Sequence, residues 1–165
     1  MLALSITRLD ETAEAEAIRG PVLSLDLGAK RVGVAVSDPS LIAITRLKNL
    51  RRSNWKQLLR DIDDLIRRFD AKTMVIGFPL KLDGDEGSAA TETRQLAQKF
   101  ARSLDLPIYL QDERLTSRDA EERLRSSGYR SHELAALVDS ESAAIILSDF
   151  INSGQQTMRV WRQLD

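Results

Sequence analysis

This chain has no cysteine, and His132 is its only histidine in 165 residues. The first absence excludes disulfides, thiolate metal sites and thiol nucleophiles, and it accords with a reducing compartment. The second makes imidazole-rich zinc centres and His-dependent triads poor candidates. Aromatic residues supply only 5% of the chain, so aliphatic side chains must build the core. No apolar run approaches the roughly 18 residues of a membrane span. Residues 1–20 lack the basic start and apolar centre of a signal peptide, so a cytoplasmic location is the default expectation. The net charge of −1 does not advertise a nucleic-acid binder. Residues 1–20 carry Arg8 and Arg19 against Asp10, Glu11, Glu14 and Glu16, a net of −2, which leaves +1 for the rest. Any basic surface is therefore local. Arg46, Lys48, Arg51 and Arg52 form one such run between an expected strand and helix, readable as a solvated loop or as a phosphate contact.

What is present is organised around Leu23–Asp38, L-S-L-D-L-G-A-K-R-V-G-V-A-V-S-D. Two apolar runs, Val22–Leu27 and Val32–Val36, flank a short link containing Gly28, which predicts an antiparallel hairpin. Asp26 sits among Leu23, Leu25 and Leu27 near the end of the first run. A carboxylate there is costly to desolvate unless a donor or a metal ion balances it, or unless it points to water from an edge.

The remaining pattern predicts one domain of order β-β-β-α-β-α-β-α-α. Residues 1–20 read as a mobile N-terminal extension, 21–152 as the domain and 153–165 as a C-terminal tail with no clear element. Leu41–Leu47 alternates as a third strand. Asn54–Phe69 places Trp55, Leu58, Leu59, Ile62, Leu65, Ile66 and Phe69 on one helical face, capped by Ser53 or Asn54. Thr73–Phe78 is a buried parallel strand. Pro79–Gly87 is a loop. Ser88 is the expected cap of a helix that buries Leu96, Ala97, Phe100 and Leu104. Pro107–Leu110 begins a fifth strand. A helix from about Thr116 to Ser126 starts with capping-box spacing between Thr116 and Asp119 and ends at Gly128. The last helix, about Ser131 to Ile151, is apolar nearly all round and should be buried, with Gly154 as its stop. The expected fold is α/β: a five-stranded mixed sheet, order 3-2-1-4-5, with helices on both faces. Ligands of such sheets sit beyond the carboxyl ends of the parallel strands.

Three acids gather at that edge. Asp26 ends the first strand and Glu113 follows the fifth. Asp139 projects from the last helix on a face shared with Ala135, Ala136, Ser142, Ala143, Ile146 and Phe150. Two readings of Asp139 stand open: an ion pair with an arginine, or a metal ligand. Oxygen-only ligands suit Mg²⁺ or Mn²⁺, and clustered carboxylates repel one another unless cations neutralise them. Such ions can activate water at a phosphodiester without a protein nucleophile.

The order of elements with these acids resembles the ribonuclease H-like fold. D-L-G-A-K-R-V-G-V-A-V-S-D at 26–38, V-I-G-F-P-L at 75–80, D-G-D-E-G at 83–87, D-E-R-L-T-S at 112–117 and V-D-S-E-S-A-A at 138–144 resemble the YqgF family, also called RuvX and described as Holliday junction resolvase-like. The likeness covers residues 22–151. It implies a cytoplasmic, metal-dependent nuclease in 5′-end maturation of the 16S rRNA precursor. The implied partners are structured RNA and ribosomal particles, and the implied acidic site is Asp26, Glu113 and Asp139. RuvC-type resolvases carry a further Asp where this chain has Ser142, and Glu141 lies on another helical face. The Lys-rich stretch of many members before the last Asp is here reduced to Arg130.

Lys30, Arg31 and Arg114 are candidate substrate-binding residues that position phosphate. Lys30 and Arg31 read equally as a solvated hairpin tip, and Arg114 as the partner of a carboxylate. The Gly84–Gly87 loop reads as a tight turn, since Asp83, Asp85 and Glu86 oppose an anion. Trp55 reads as core. A DNA junction resolvase on the same fold and a non-catalytic nucleic-acid-binding module are the alternative functions.

Overall fold

The computed structural model describes residues 17–114, 116–153 and 157–160. For residues 116–119, 121, 131, 132, 135, 136, 153, 157 and 158 only the backbone is described. The elements are β1 (Val22–Leu27), β2 (Arg31–Ser37), β3 (Ile44–Arg51), α1 (Trp55–Phe69), β4 (Thr73–Phe78), α2 (Ser88–Ser103), β5 (Ile108–Asp112), α3 (Thr116–Ser126), α4 (Ser131–Ser153) and β6 (Thr157–Val160). They form one mixed sheet of order β3-β2-β1-β4-β5-β6. The expected order holds, and the tail adds a sixth strand antiparallel to β5. Parallel pairing of β1 with β4 and of β4 with β5 sends their carboxyl ends to one edge.

Strand alternation divides the core in two. Leu23, Leu25, Val32, Val34, Met74, Ile76, Ile108 and Leu110 face α1 and α2, where Leu58, Ile62, Ala97 and Phe100 meet them. The whole apolar face expected of α1 packs into this cluster, including Trp55, whose ring centroid lies 5.0 Å from that of Phe100. Val22, Ala35 and Val75 face the other way, against Ala143, Ile146, Leu147 and Phe150 of α4. Each fully buried side chain of that size adds roughly 1.5–3 kcal/mol, so the two clusters clamp the sheet from both sides. α3 packs on α4.

Three local expectations are corrected. Asn54 caps α1 by accepting from the Gln57 amide, 3.0 Å, but α2 starts from Gly87 with no side-chain cap, so Ser88 is inside the helix. The third strand begins at Ile44, not Leu41, because Asp38 Oδ1 accepts from the amides of Ile42 and Ala43 at 2.7 and 3.0 Å and holds the turn open. It then continues to Arg51, so the basic run lies mostly in an edge strand rather than a loop. Gly128 ends α3 at φ +88°, as expected. The cap side chains of α3 and Gly154 lie outside what is described.

At the start of the domain, Ile18 packs against the α4 cluster and the Arg19 carbonyl accepts from the Thr73 hydroxyl at 2.8 Å. Residues 1–16 lie outside the described residues.

Candidate active site

The site grows from one row of the sheet. Asp26 lies opposite Gly33 on β2, and Gly77 of β4 lies opposite Gln111 on β5. One step before it, Ser24 lies between Ala35 and Val75, and the Ser24 hydroxyl donates to the Ala143 carbonyl of α4 at 2.8 Å. Because Asp26 follows Ser24 by two residues, it projects from that same face. The two glycines make room for what sits above them. A Cβ on Gly33 would collide with the backbone carbonyl of Asp139, so α4 rests directly on β2 there. A Cβ on Gly77 would collide with the carboxylate of Glu113 and with Ile146. Glu113 is anchored to the strand below by its amide, which donates to the Phe78 carbonyl at 3.2 Å.

Glu113 and Asp26 meet in a side-chain hydrogen bond. Burial pushes Glu113 up to about 9, and the neighbouring charge and hydrogen bond of Asp26 push it the same way. Burial also raises Asp26, to about 6, with the charge of Asp139 adding to it. Both shifts run upward, so the pair as a whole holds on to a proton more strongly than two free carboxyls do. Two half-buried acids sharing a proton are what like charges do when no cation lies between them.

Asp139 completes the trio from the opposite side. Its Oδ2 accepts from Arg31 Nε at 2.9 Å, with the two side chains 23% and 47% exposed. The arginine reading of Asp139 therefore holds in this state, and Arg31, expected on phosphate, is engaged with an acid. Among the described residues no three acids stand together in ligating geometry. Asp139 is turned to Arg31, while the other two hold each other. The donor set still fits a hard divalent cation: three carboxylates, oxygen donors only among the described side chains of the site, two of them close enough to share a proton.

The remaining expected residues separate. Lys30 is exposed at the hairpin end. Arg114 bonds to Asp112, with Nη2 2.6 Å and Nε 2.8 Å from Oδ2, so it serves as that carboxylate's partner. Glu141 is held by Arg46 at 2.7 Å, away from the trio. Ser142 is fully buried and its Oγ has no partner. Gly84 adopts φ +90° in a turn closed by its amide donating to the Lys81 carbonyl at 2.8 Å, so the loop is a turn as read. The glycine cradle was missed by sequence reasoning. Its only signal was a glycine at the same depth in each of two otherwise apolar strands.

The family model RuvX, described as Holliday junction resolvase, matches residues 20–153. A protein of Anaeromyxobacter sp. (strain Fw109-5) named "Putative pre-16S rRNA nuclease" is 38% identical over 130 residues, 79% of this chain and 95% of that one. A protein of the same name from Roseiflexus sp. (strain RS-1) is 36% identical over 134 residues, 81% of this chain and 95% of that one. Among solved structures, T. thermophilus RuvC in complex with a Holliday junction substrate superposes with a TM-score of 0.52 at 13% identity. The match covers 82% of this chain and 96% of that one, a likeness of fold, and that fold is ribonuclease H-like.

Proposed function

This chain belongs to the RuvX family of nucleases, and from that premise we propose that it hydrolyses phosphodiester bonds of the 16S rRNA precursor, at its 5′ end, with a divalent cation. The observation that carries the chemistry is the seating of Asp26 on β1 and of Glu113 over Gly77 on one face at the carboxyl edge of the sheet, with α4 resting on Gly33 at Asp139. A pair so placed gains most from a hard cation. Asp26, Glu113 and Asp139 would hold Mg²⁺ or Mn²⁺. When bound, such an ion supplies an activated water and charge stabilisation at the leaving oxygen.

The protein's own contribution is orientation. The Gly77 cradle fixes Glu113 beside Asp26, and the close seat of α4 on Gly33 fixes Asp139 opposite both. Lys30 and Arg31 stand on the flank of the acids: Lys30 is free to meet phosphate without reading bases, and Arg31, which is on Asp139, would join it once a cation takes that carboxylate. Arg114 is assigned to holding Asp112 and the turn below it, away from substrate. The RNA reading rests on the relatives' name, and it carries with it ribosomal particles as partners and a cytoplasmic location. No helix among the described residues is long and apolar enough to cross a membrane.

The test is digestion of labelled precursor rRNA, plain single-stranded RNA and a four-way DNA junction in parallel, with Mn²⁺, Mg²⁺ or chelator. The expected result is metal-dependent cutting of precursor rRNA that Asp26→Asn abolishes while the fold is retained. Cutting confined to the junction would assign the chain to DNA, and undiminished turnover in Asp26→Asn would overturn the site.

A further inference from the structure

Arg51, the last residue of β3, stands directly across the ladder from Arg31. Residues so opposed share a face and have Cβ atoms about 4.5–5.5 Å apart, and like charges in that position destabilise a sheet. The shared face is that of α4 and the acids, because Arg31 reaches Asp139 on it. β3 is the edge of the sheet, and Arg51 is exposed. The chain thus places two arginines opposite one another on one face, one row beyond the acids.

The neighbouring arginines are engaged within the protein. Arg31 is on Asp139, Arg46 on Glu141, Arg114 on Asp112. Arg52 bonds Glu92 and, at 2.9 Å, the Gly28 carbonyl, which ties the end of β3 to the hairpin and to α2. No described acid pairs with Arg51. From Asp26, Arg51 is two strands across and about two residues along, roughly 12 Å between Cα atoms by ordinary sheet spacings. At that separation Arg51 suits a phosphate beside the acids and not one held at them.

We propose that Arg51, with Arg31 across the ladder, holds the sugar-phosphate backbone of the RNA strand on the flank of the acid site. This deepens the nuclease reading and rests on it for the identity of the strand. Arg51 is a substrate-gripping residue. It touches no reacting atom, and its loss shows in affinity and KM more than in kcat. The two opposed arginines become the two ends of one phosphate clamp when a polyanion lies across them.

The experiment titrates labelled single-stranded RNA against the full chain carrying Asp26→Asn, across a range of salt, alone and with Arg51→Gln or Arg51→Lys added. Arg51→Gln is expected to weaken binding about fivefold or more at low salt and to reduce the slope of log K against log salt by about 0.7, one phosphate contact on a single strand. Arg51→Lys should recover the slope. In melts of the free protein, Arg51→Gln should hold or slightly raise the Tm, since it relieves the opposed pair. Equal affinity and equal slope in Arg51→Gln would overturn the proposal, as would a lowered Tm with binding unchanged. Loss seen on a four-way DNA junction but not on RNA would overturn the RNA strand. If wild type cleaves nothing, yet RNA binding depends on Arg51 as described, the nuclease reading fails and the subsite stands.

Discussion

Asp139 is the residue on which two roles compete. Its own helix offers no neutralising neighbour, since Ser142 and Ala143 lie one turn away, and on that pattern alone it looks like a carboxylate kept for a cation. The structure brings Arg31 to it from a strand 108 residues earlier in sequence, a pairing that helical periodicity cannot reveal. The bridge is partly solvated, and pairs of that kind contribute about 0.2–1 kcal/mol. Removing the charge also relieves Asp26, which Asp139 pushes upward. Asp139→Asn should therefore leave the chelator-treated protein within about 1 kcal/mol of wild type. Its cleavage should fall by more than the ten- to hundredfold, roughly, that loss of an outer partner of a metal site costs. Melts in chelator beside initial cleavage rates check both halves. A loss of several kcal/mol in the melt would make Asp139 a structural ion-pair member instead.

At the scale of elements, the close approach of α4 to β2 is what assembles the trio, and Gly33 is its hinge point. Gly33→Ala would drive a methyl into the Asp139 carbonyl, backbone that a side-chain rotation cannot move. The helix must shift, so stability should drop by about 1–3 kcal/mol and cleavage should drop with it. Urea melts and cleavage rates of that variant measure the two together. A fully active, fully stable Gly33→Ala would mean that α4 is free to slide on the sheet. Long periodic elements were legible in the sequence: α1, α2 and α4 carry their buried faces where 3.6-residue spacing puts them, and the order of β1 to β5 followed from the hairpin and the buried parallel run. What was illegible was short or decided at a distance. β6, T-M-R-V, is four residues long with no local signal, and only the open edge of β5 recruits it. The start of β3 was set by the Asp38 carboxylate capping its turn, and the extent of β3 by an edge whose exposed side tolerates Arg46, Lys48 and Arg51. Asp26 and Asp139 were visible as charges in apolar surroundings and Glu113 by its place after the fifth strand, while the glycines that seat them were not.

Across the whole molecule, the acid pair makes stability a function of pH and of metal together. Asp26 rises from 3.8 to about 6 and Glu113 from 4.5 to about 9 on folding. The folded chain therefore binds more protons than the unfolded chain across that window. Stability of the metal-free protein is full below about pH 4 as far as these two groups are concerned. It declines as pH rises through about 6 and on towards 9. In Glu113→Gln the upper part of that decline should vanish. A divalent cation opposes the same decline, because it binds the deprotonated oxygens and must expel the proton they share. The central claim, that Asp26, Glu113 and Asp139 are a cation site held closed by a proton and an arginine, is tested most directly by calorimetric titration of Mn²⁺ into the protein at pH 7 in two buffers of different ionisation enthalpy. The account predicts saturable binding with release of about one proton per chain, and loss of that binding in Asp26→Asn. Absence of binding, or binding that releases no proton and persists in Asp26→Asn, would contradict it.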